Sequence, residues 1–561
     1  MLSFIPIVEE NIFVSGGPFL RRTLGAIADG FVTSPAFRWT WSAPDNKSVK
    51  HKLLEIRPSD AFNVADMMIG QYLLAQRLVD TGGTTPFAID YASDEWFDEL
   101  HSFTWLRHFS AVQDEGSKKF AGTLAMDWVS RYGSFSKRVW DNKLTALRVL
   151  NWIKHFDQLC FGLNDARKKI VERSLAEQVQ CLRIRINFEA DPARRLLMRL
   201  ALLGAAIALQ SPTDDINRLL ERTTLSLSRQ IDEKGMHRSR NGELQFLLLL
   251  EMIPVRHAVT PISMEAGREF AAVLDKMHHS LALLMHTTGE LSYFNNARAI
   301  PHEMLLAVQS RANSNLEINR GEYNAGYAAL VGQDSKLIVD GGAEMGDDFR
   351  GGLFAGAASF EYSFRNDLIV SNCGPGPSTL GDDADLFRLP ASHSSLEIEY
   401  RGKYPFKSQN LMSAHMRANR DAAPKVDLDE RRVDLINNGY ERLAGVKHER
   451  SLNILPREGD ALLGQDIIRC DLNHKSAPDQ FLLRFHLGPG IEAALDDSLN
   501  QIELQLRSGS TWAFIWEGAD AMIEESVRYS AHKGLEPIRQ IVLSGNISAH
   551  QEVVWTFMPR A

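Results

Sequence analysis

The spacing of apolar side chains divides the chain into two parts. From about residue 58 to 290, apolar residues recur at helical spacing in about nine or ten segments, such as AFNVADMMIGQYLLAQRLV and KLTALRVLNWIKHFDQLC. Short connections with Gly, Pro, Asn or Asp separate these segments, and several begin with a capping residue, as in SPTDDINRLL. Antiparallel helices of this length with short links predict a bundle or a ring of helical hairpins.

Beyond about residue 320 the pattern changes to alternation of apolar and polar residues. The segments KLIVDGG, FLLRFHLG and QEVVWTFMP have this period and are separated by turn residues. Because the strands follow the helices, the pattern predicts an antiparallel β-sandwich after a helical domain. We therefore predict a leader segment at 1–55, a helical toroid domain at 56–315 and a β-sandwich domain at 316–561.

Composition narrows the class of protein. A chain of 561 residues with 44% hydrophobic and 24% charged residues is globular and too long for one core. The net charge of −9 argues against a nucleic-acid-binding protein, because phosphate binding leaves a basic footprint. The cysteines lie far apart with no CxxC pair, which predicts buried free thiols rather than disulfides or a zinc site.

The amino-terminal segment and the length of the apolar stretches indicate the compartment. The sequence MLSFIPIVEENIF has no basic region and no small-residue cleavage site, so no signal peptide is predicted. The longest apolar stretches, such as LLMRLALLGAAIAL, contain a charge or fall short of the ~20 residues that span a bilayer. We expect a soluble, cytoplasmic protein without a transmembrane segment.

Motifs in both halves carry a family resemblance. The segments GYAALVG, AGAASFEYSF, LIVSNCGPG and ASHSSLEIEY in the strand-rich half, with TGGTTPFAID, WLRHFSA and DEKGMHRSR in the helical half, resemble those of heparinase II/III-like proteins. The resemblance covers the chain from about residue 56 to the end. It implies an N-terminal (α/α) toroid followed by an antiparallel β-sandwich, and it makes the periplasm or cell envelope the alternative compartment.

Family members of known activity are polysaccharide lyases, which cleave beside a uronic acid by β-elimination. This chemistry needs a group that neutralises the carboxylate, a base for the C5 proton and an acid for the leaving oxygen. The resemblance therefore implies an acidic polysaccharide or oligosaccharide of the glycosaminoglycan kind as partner, and it allows a homodimer. No cofactor is required, although some relatives carry a divalent metal in the sandwich domain, whose ligands here are unassigned.

The resemblance also implies candidate catalytic residues. DEKGMHRSR is similar to the family's GGH-x-x-R pattern at Gly235, His237 and Arg240, and His393 matches a histidine of the family's AHS segment. His237, Arg240 and His393 are candidates for neutraliser or base, and Tyr327 is the candidate acid. The alternative is structural: His237 and Arg240 cap a helix and bind a core carboxylate, His393 is a hydrogen-bonded strand-end residue, and Tyr327 is a packed aromatic.

A basic set is the candidate substrate-binding surface. Arg195 and Arg199 are four residues apart, which is about one helical turn, so both can lie on one face. With Asn187 they predict a patch that binds a polyanion. The alternative is an ordinary solvated helix face.

Departures from the family pattern support two competing functions. Leu244, Phe354, Gly356 and Gly488 stand where active relatives carry Tyr, His, Asp and His. The first competing function is a non-catalytic protein that binds polysaccharide or assists its production or export. The second is a hydrolase with a carboxylate pair, whose candidates are Asp347, Asp348 and Glu361.

Overall fold

The computed structural model of the chain describes residues 18–37, 41, 48–90, 93–313, 316–342, 349, 354–399, 425–496, 500–530 and 534–560. Their contacts define two compact units. The helical unit comes from Met1–Ile231, Leu247–Leu274 and Leu306–Arg311, and the sandwich unit from Asp232–Phe246, Asp275–Leu305 and Ala312–Ala561. The sandwich unit thus takes two segments from the helical half of the sequence. The domain division at residue 315 rests on the change of periodicity and stays a prediction.

The helices begin and end where the sequence supplies local signals. Asp114, Asn164 and Asp191 are N-caps whose side chains accept backbone N–H bonds from the first turn. Pro192 follows Asp191 at the first helical position, where its missing N–H costs nothing. The helices before the sandwich strands are α1 Pro18–Val32, α2 Ala61–Met68, α3 Asp94–Ser102, α4 Glu115–Tyr132, α5 Asn142–Lys154, α6 Phe156–Cys160, α7 Asp165–Arg185, α8 Pro192–Ala208, α9 Thr213–Gln230, α10 Gly242–Val259, α11 Met264–Leu283 and α12 His302–Gln309.

The core of the helical unit is built on α5 and α8, which are buried along most of their length. Helices that are apolar on most faces lie inside a domain rather than on its surface. A buried ion pair between Lys154 Nζ and Glu251 Oε2, 2.6 Å long, crosses this core. Large aromatic side chains fill much of the remaining volume, namely Trp96, Trp105, Trp128, Trp140 and Trp152.

Antiparallel strands follow the helices. A hairpin of β1 Gln71–Leu74 and β2 Arg77–Asp80 lies in the helical unit. The strands of the sandwich unit are β3 Gly321–Asn324, β4 Tyr327–Val331, β5 Ser335–Asp340, β6 Phe360–Phe364, β7 Asp367–Ser371, β8 Leu396–Glu399, β9 Lys425–Leu428, β10 Arg432–Asn437, β11 Val446–Leu455, β12 Ala461–Cys470, β13 Gln480–Leu487, β14 Glu492–Asp496, β15 Gln501–Gln505, β16 Thr511–Glu517, β17 Asp520–Ser530, β18 Gly534–Asn546 and β19 His550–Pro559. A short helix, α13 Glu441–Ala444, precedes β11. In the described part of this unit, one sheet has the order β14-β15-β16-β19-β12-β11-β10-β9, and the other has the order β17-β18-β13-β7-β6-β5-β4-β3 with β8 also paired to β13.

Burial along the strands separates two kinds of position. Strand β11 alternates buried and half-buried residues, as expected for a strand with one face on the core. Strands β5, β6 and β7 are buried at every position. Their outer face is covered by the 275–305 segment of the same unit, where Lys336 Nζ donates to Ala282 O at 2.8 Å and His286 pairs with Glu361. This covered face holds the candidate site.

No helix in the described ranges combines the length and the hydropathy needed to cross a bilayer.

Candidate active site

Arg240 lies at the centre of a closed cluster in the sandwich unit. Its Nε donates to Ala325 O at 3.0 Å, and its Nη2 donates to Gly326 O at 3.0 Å and to Asp340 Oδ1 at 2.5 Å. The guanidinium also lies over the Tyr327 ring, 4.3 Å from its centroid. Burial alone would lower the pKa of Arg240, but Asp340 raises it above its usual value, so the guanidinium is charged at any physiological pH. These contacts are those of a buried arginine with a structural role.

Tyr327 is enclosed in the same cluster. Its hydroxyl donates to Arg240 O at 2.6 Å and accepts from Asn295 Nδ2 at 2.7 Å. The same Asn295 amide lies 3.4 Å from Asp340 Oδ2. Tyr327 is 0% exposed, and burial, with Asp340, raises the pKa of its phenol above the ordinary 10.0. In this conformation the hydroxyl serves the fold, and protonation of a leaving group would first require its bond to Arg240 to open.

The backbone around this cluster is unusual. Arg240, Asn295 and Ala325 adopt left-handed conformations, with φ of 56°, 50° and 49°. For residues other than glycine this region costs roughly 1–2 kcal/mol per residue. Strained backbone of this kind concentrates at sites where the surrounding structure fixes a particular geometry. Arg240 and Asn295 are therefore held in place by tertiary contacts rather than by local preference.

His237 is a buried neutral imidazole. Its backbone N–H donates to Gln245 Oε1 at 2.9 Å, and its Nδ1 accepts the backbone N–H of Ser239 at 3.1 Å. Burial lowers the pKa of His237 to about 3. Because Nδ1 accepts, the ring proton is on Nε2. The Phe349 ring packs edge-on against it, with centroids 5.2 Å apart.

His393 has the opposite tautomer. Its Nδ1 lies 2.8 Å from Leu389 O, an acceptor only, so Nδ1 carries the proton and Nε2 carries the lone pair. Burial lowers its pKa, against a smaller opposite effect of the Leu389 hydrogen bond. The Phe354 ring stands perpendicular to the imidazole at 5.9 Å, and the Phe354 N–H donates to Asn295 Oδ1 at 3.4 Å. Through Phe354 and Asn295, His393 is joined to the Arg240 cluster.

A second buried network, centred on Glu361, lies beside His393. Glu361 Oε2 bonds His286 Nε2 at 2.7 Å, while its Oε1 accepts the Tyr293 N–H at 3.1 Å and the side-chain amide of Asn372 at 3.0 Å. Asn372 Oδ1 in turn accepts the backbone N–H of Ser394 at 2.9 Å. Glu361 thereby helps to fix the strand that follows His393. Sequence reasoning gave it a different role and did not pair it with His286.

The hydrolase interpretation requires Glu361 to act with Asp347 or Asp348. Both aspartates lie outside the described residues. Glu361 itself is buried, with its oxygens bonded to His286 and to three N–H groups. That geometry suits a structural carboxylate rather than one that activates water.

The predicted substrate-binding residues lie in the helical unit, and two of them donate hydrogen bonds to backbone carbonyl groups there. Arg195 Nε donates to Glu189 O at 3.0 Å, and Asn187 Nδ2 donates to Ile184 O at 3.3 Å. Arg199 is buried on α8. These contacts favour loop and helix stabilisation over an open basic patch, and their role in substrate binding stays a prediction.

The described residues do not fit a metal ion. Among them, no group of three or more His, Cys, Asp or Glu side chains comes together. A Cβ atom at Gly356 would lie 2.5 Å from His393 Cδ2, so the aspartate expected there has no room. A Cβ at Gly488 would lie 1.7 Å from Leu368 O. The departures from the family pattern are thus built into the packing.

Two residues of the Arg240 cluster were missed as site residues. Asp340 ends β5 in the KLIVDGG segment, and its position at the end of a buried strand was the available signal. Asn295 lies in an irregular segment with no periodic pattern, and only the tertiary structure places it between Tyr327 and Asp340.

The chain was compared with known protein families and with solved structures. Residues 322–556 match the family described as Heparinase II/III-like, C-terminal. A heparinase III crystal structure is similar with a TM-score of 0.70 and 13% identity, over 98% of this chain and 92% of that chain. Heparan sulfate lyase HepC from Pedobacter heparinus, as a mutant, gives a TM-score of 0.56 and 13% identity, over 97% and 88%. A second heparinase III gives 0.60 and 12%, over 97% and 90%.

Among curated proteins, the sequence of this chain has no match. The structural likeness confirms the predicted fold class, a helical toroid followed by an antiparallel β-sandwich. Residues 322–556 form a heparinase II/III-like C-terminal domain, and the chain's resemblance to the heparinase II/III-like family is confirmed.

Proposed function

We propose that the protein is a lyase that cleaves an acidic, uronic-acid-containing polysaccharide by β-elimination. The observation that carries the proposal is the hydrogen bonding of two buried imidazoles: His237 Nδ1 accepts the Ser239 N–H, which assigns its proton to Nε2, and His393 Nδ1 donates to Leu389 O, which assigns its lone pair to Nε2. β-Elimination needs both a hydrogen-bond donor for the substrate carboxylate and a base for the C5 proton. The solved relatives include a heparan sulfate lyase and heparinase III, which agrees with this class of reaction.

In the proposed reaction His237 donates its Nε2–H to the uronate carboxylate and disperses the charge that develops there. His393 Nε2 removes the C5 proton, and the electron pair forms the C4–C5 double bond as the C4–O bond breaks. The leaving oxygen takes a proton from an acid, for which Tyr327 is the candidate. Arg240 holds the loop that carries His237 through its bonds to Asp340 and the 325–326 backbone.

Burial sets a condition on this proposal. His237 and His393 are 0% and 2% exposed. Substrate reaches them only if the Phe349 and Phe354 rings, which pack edge-on against them, are displaced.

The alternative function is a non-catalytic polysaccharide-binding or accessory protein. It is favoured by the closure of Tyr327 and Arg240 within their own cluster and by the packed glycines at 356 and 488. The two functions differ in one observable, the release of unsaturated products.

The test is ultraviolet absorbance of the C4–C5 unsaturated uronate during incubation with heparan, chondroitin, hyaluronan, alginate and bacterial exopolysaccharides. We expect a rise with one of them that His237→Ala and His393→Ala abolish. His550→Ala, an exposed histidine on β19, is the matched control and should retain the activity. No rise with any polysaccharide, while binding is still measured, would favour the accessory function. The homodimer and the compartment stay predictions.

A further inference from the structure

The loop that carries His393 is held by a second buried histidine, His486 on strand β13. The Nε2 atom of His486 lies 3.0 Å from Ala391 O. A carbonyl oxygen can only accept, so Nε2 carries the ring proton and donates it. The backbone N–H of His486 donates to Ser394 Oγ at 3.0 Å. His486 therefore contacts the chain on both sides of His393 in the sequence.

The orientation of the His486 ring is fixed by its other contacts. Its Nδ1 carries the lone pair and accepts the hydroxyl of Ser526, on strand β17, at 2.9 Å. Strand β13 is itself paired with β18 on one side and with β7 and β8 on the other. Burial lowers the pKa of His486 to about 3, so the ring is neutral at physiological pH. The Nε2–H group is thus aimed at Ala391 O from a rigid support.

The turn that His486 contacts also sets the tautomer of His393. Pro390–Ser392 forms a short 3-10 turn directly before His393, and Ala391 is its middle residue. The Leu389 carbonyl accepts the Ser392 N–H at 3.1 Å, which closes this turn. The same carbonyl accepts the Nδ1–H of His393 at 2.8 Å. The position of the turn therefore decides where the acceptor for His393 Nδ1 lies.

We propose that His486 is a positioning residue for the lyase reaction proposed above. Its Nε2–H holds Ala391 O, and the turn then holds Leu389 O against His393 Nδ1. The lone pair of His393 Nε2 thereby stays available for the C5 proton. His486 acts through this turn and not on the substrate. The inference rests on the proposed function, because His486 has this task only if His393 is the base.

The test compares two amides at position 486. The amide of His486→Gln can occupy the Nε2 position and donate to Ala391 O, whereas the shorter side chain of His486→Asn places its amide near the Nδ1 position. With a polysaccharide that the wild type cleaves, we expect kcat of His486→Asn to fall by about tenfold or more with KM unchanged, because misplacing a catalytic group slows the reaction and leaves binding intact. His486→Gln should recover most of kcat, and His550→Asn, at an exposed histidine of β19, is the control that should keep all of it.

Crystal structures of the two variants give a measurement that needs no substrate. The distance from Leu389 O to His393 Nδ1 is 2.8 Å in the wild-type chain. We expect it to exceed about 3.5 Å in His486→Asn, so that the hydrogen bond is lost, and to be unchanged in His486→Gln.

The outcomes separate this inference from the proposed function. If the wild type cleaves no polysaccharide, the proposed function fails, and the crystal structures alone decide whether His486 orients His393. Wild-type kcat in His486→Asn, or an undisplaced turn in its crystal structure, would overturn the positioning role. An equal loss of kcat in His486→Gln and His486→Asn would also overturn it, because only the packing of the ring would then matter. If His486→Asn does not fold, Ser526→Ala replaces it, since it removes the bond that orients the ring; a fall in kcat of about threefold or more supports the role, and wild-type kcat overturns it.

Discussion

At the scale of single residues, the protonation of His237 and His393 is set by backbone groups. The Ser239 N–H bonds one Nδ1, and the Leu389 carbonyl bonds the other. The Ser239 N–H therefore assigns the ring proton of His237 to Nε2, and the Leu389 carbonyl assigns the ring proton of His393 to Nδ1. Burial keeps both rings neutral, because it penalises the imidazolium form.

The acid limb of the lyase pH profile tests the role of His393. Burial lowers the pKa of His393 from the ordinary 6.5, so its Nε2 lone pair persists at lower pH than in a free histidine. We expect kcat/KM to fall with acid only below pH 6.5, the ordinary pKa of a histidine side chain. A limb centred at or above that value would contradict His393 as the base.

Arg240→Met should destabilise the protein strongly. It leaves the Asp340 carboxylate buried without its ion-pair partner, which costs about 3–5 kcal/mol of unfolding free energy. The double variant with Asp340→Asn should recover part of this loss. Arg365→Met is the control, because its pair with Asp334 is largely exposed and is worth about 0–1 kcal/mol. Urea unfolding measures all three; equal losses at Arg240 and Arg365 would contradict a closed cluster.

At the scale of elements, the end of helix α11 is held by a lysine of strand β5. Lys336 Nζ donates to Ala282 O at 2.8 Å and to Met285 O at 2.6 Å. Unpaired carbonyls at a helix C-terminus carry partial negative charge and attract a cation. This contact attaches the 275–305 segment to the sheet. Burial lowers the pKa of Lys336 to about 7.

The stability contributed by Lys336 should depend on pH. Its pKa is about 7 in the folded state and 10.5 when exposed, so between these values the unfolded chain binds more protons. Unfolding free energy therefore rises with pH in this window, by at most about 1.4 kcal/mol per pH unit. In the Lys336→Met variant the unfolding free energy should not show this rise, because no lysine titrates at the position. Urea unfolding of both proteins at pH 7 and pH 9 gives the comparison, and equal slopes would contradict the burial of a titrating lysine.

The segment that enters β6 has no room for a side chain at Gly356. Gly356→Asp should lower the midpoint of thermal unfolding by several degrees, since its Cβ would lie 2.5 Å from His393 Cδ2 and 3.0 Å from Ser359 Oγ. Gly30→Asp is the control, because a Cβ there meets nothing within 4 Å. Equal midpoints for the two variants, measured by circular dichroism, would contradict the packing at Gly356.

At the scale of the whole molecule, the divalent metal that the family resemblance allows in the sandwich domain has no fitting set of ligands among the described residues. No cluster of three potential ligands exists among the described residues, and Phe354 packs on His393 in place of the expected histidine. We expect a chelator to leave the unfolding midpoint unchanged, because a ligand that is not bound in the folded state contributes no stability. Loss of stability with chelator, together with a bound divalent ion in elemental analysis, would contradict this.

The sequence by itself determined what depends on local order. The change from helical to alternating spacing predicted helices followed by antiparallel strands, because each period sets which side chains share a face. The prediction was wrong for part of AFNVADMMIGQYLLAQRLV, where only α2 is helical and the rest forms the β1–β2 hairpin. Helix caps depend on local sequence in the same way, as at Asp114, Asn164 and Asp191. The cap predicted in SPTDDINRLL was wrong, because the N-cap of α9 is Pro212 and no side chain bonds the first turn there. Motifs around His237 and His393 carried the resemblance to the heparinase II/III-like family, which the match to residues 322–556 supports.

Only the tertiary structure decided what the candidate residues contact. Arg240 meets Asp340 across 100 residues of sequence, and His286 meets Glu361 across 75. Such pairings depend on how separate strands and loops are brought together, and no local period encodes them. The tautomers of the two histidines likewise follow from hydrogen bonds to particular backbone groups. The family motif could therefore nominate the residues, while their protonation, burial and partners emerged from the fold.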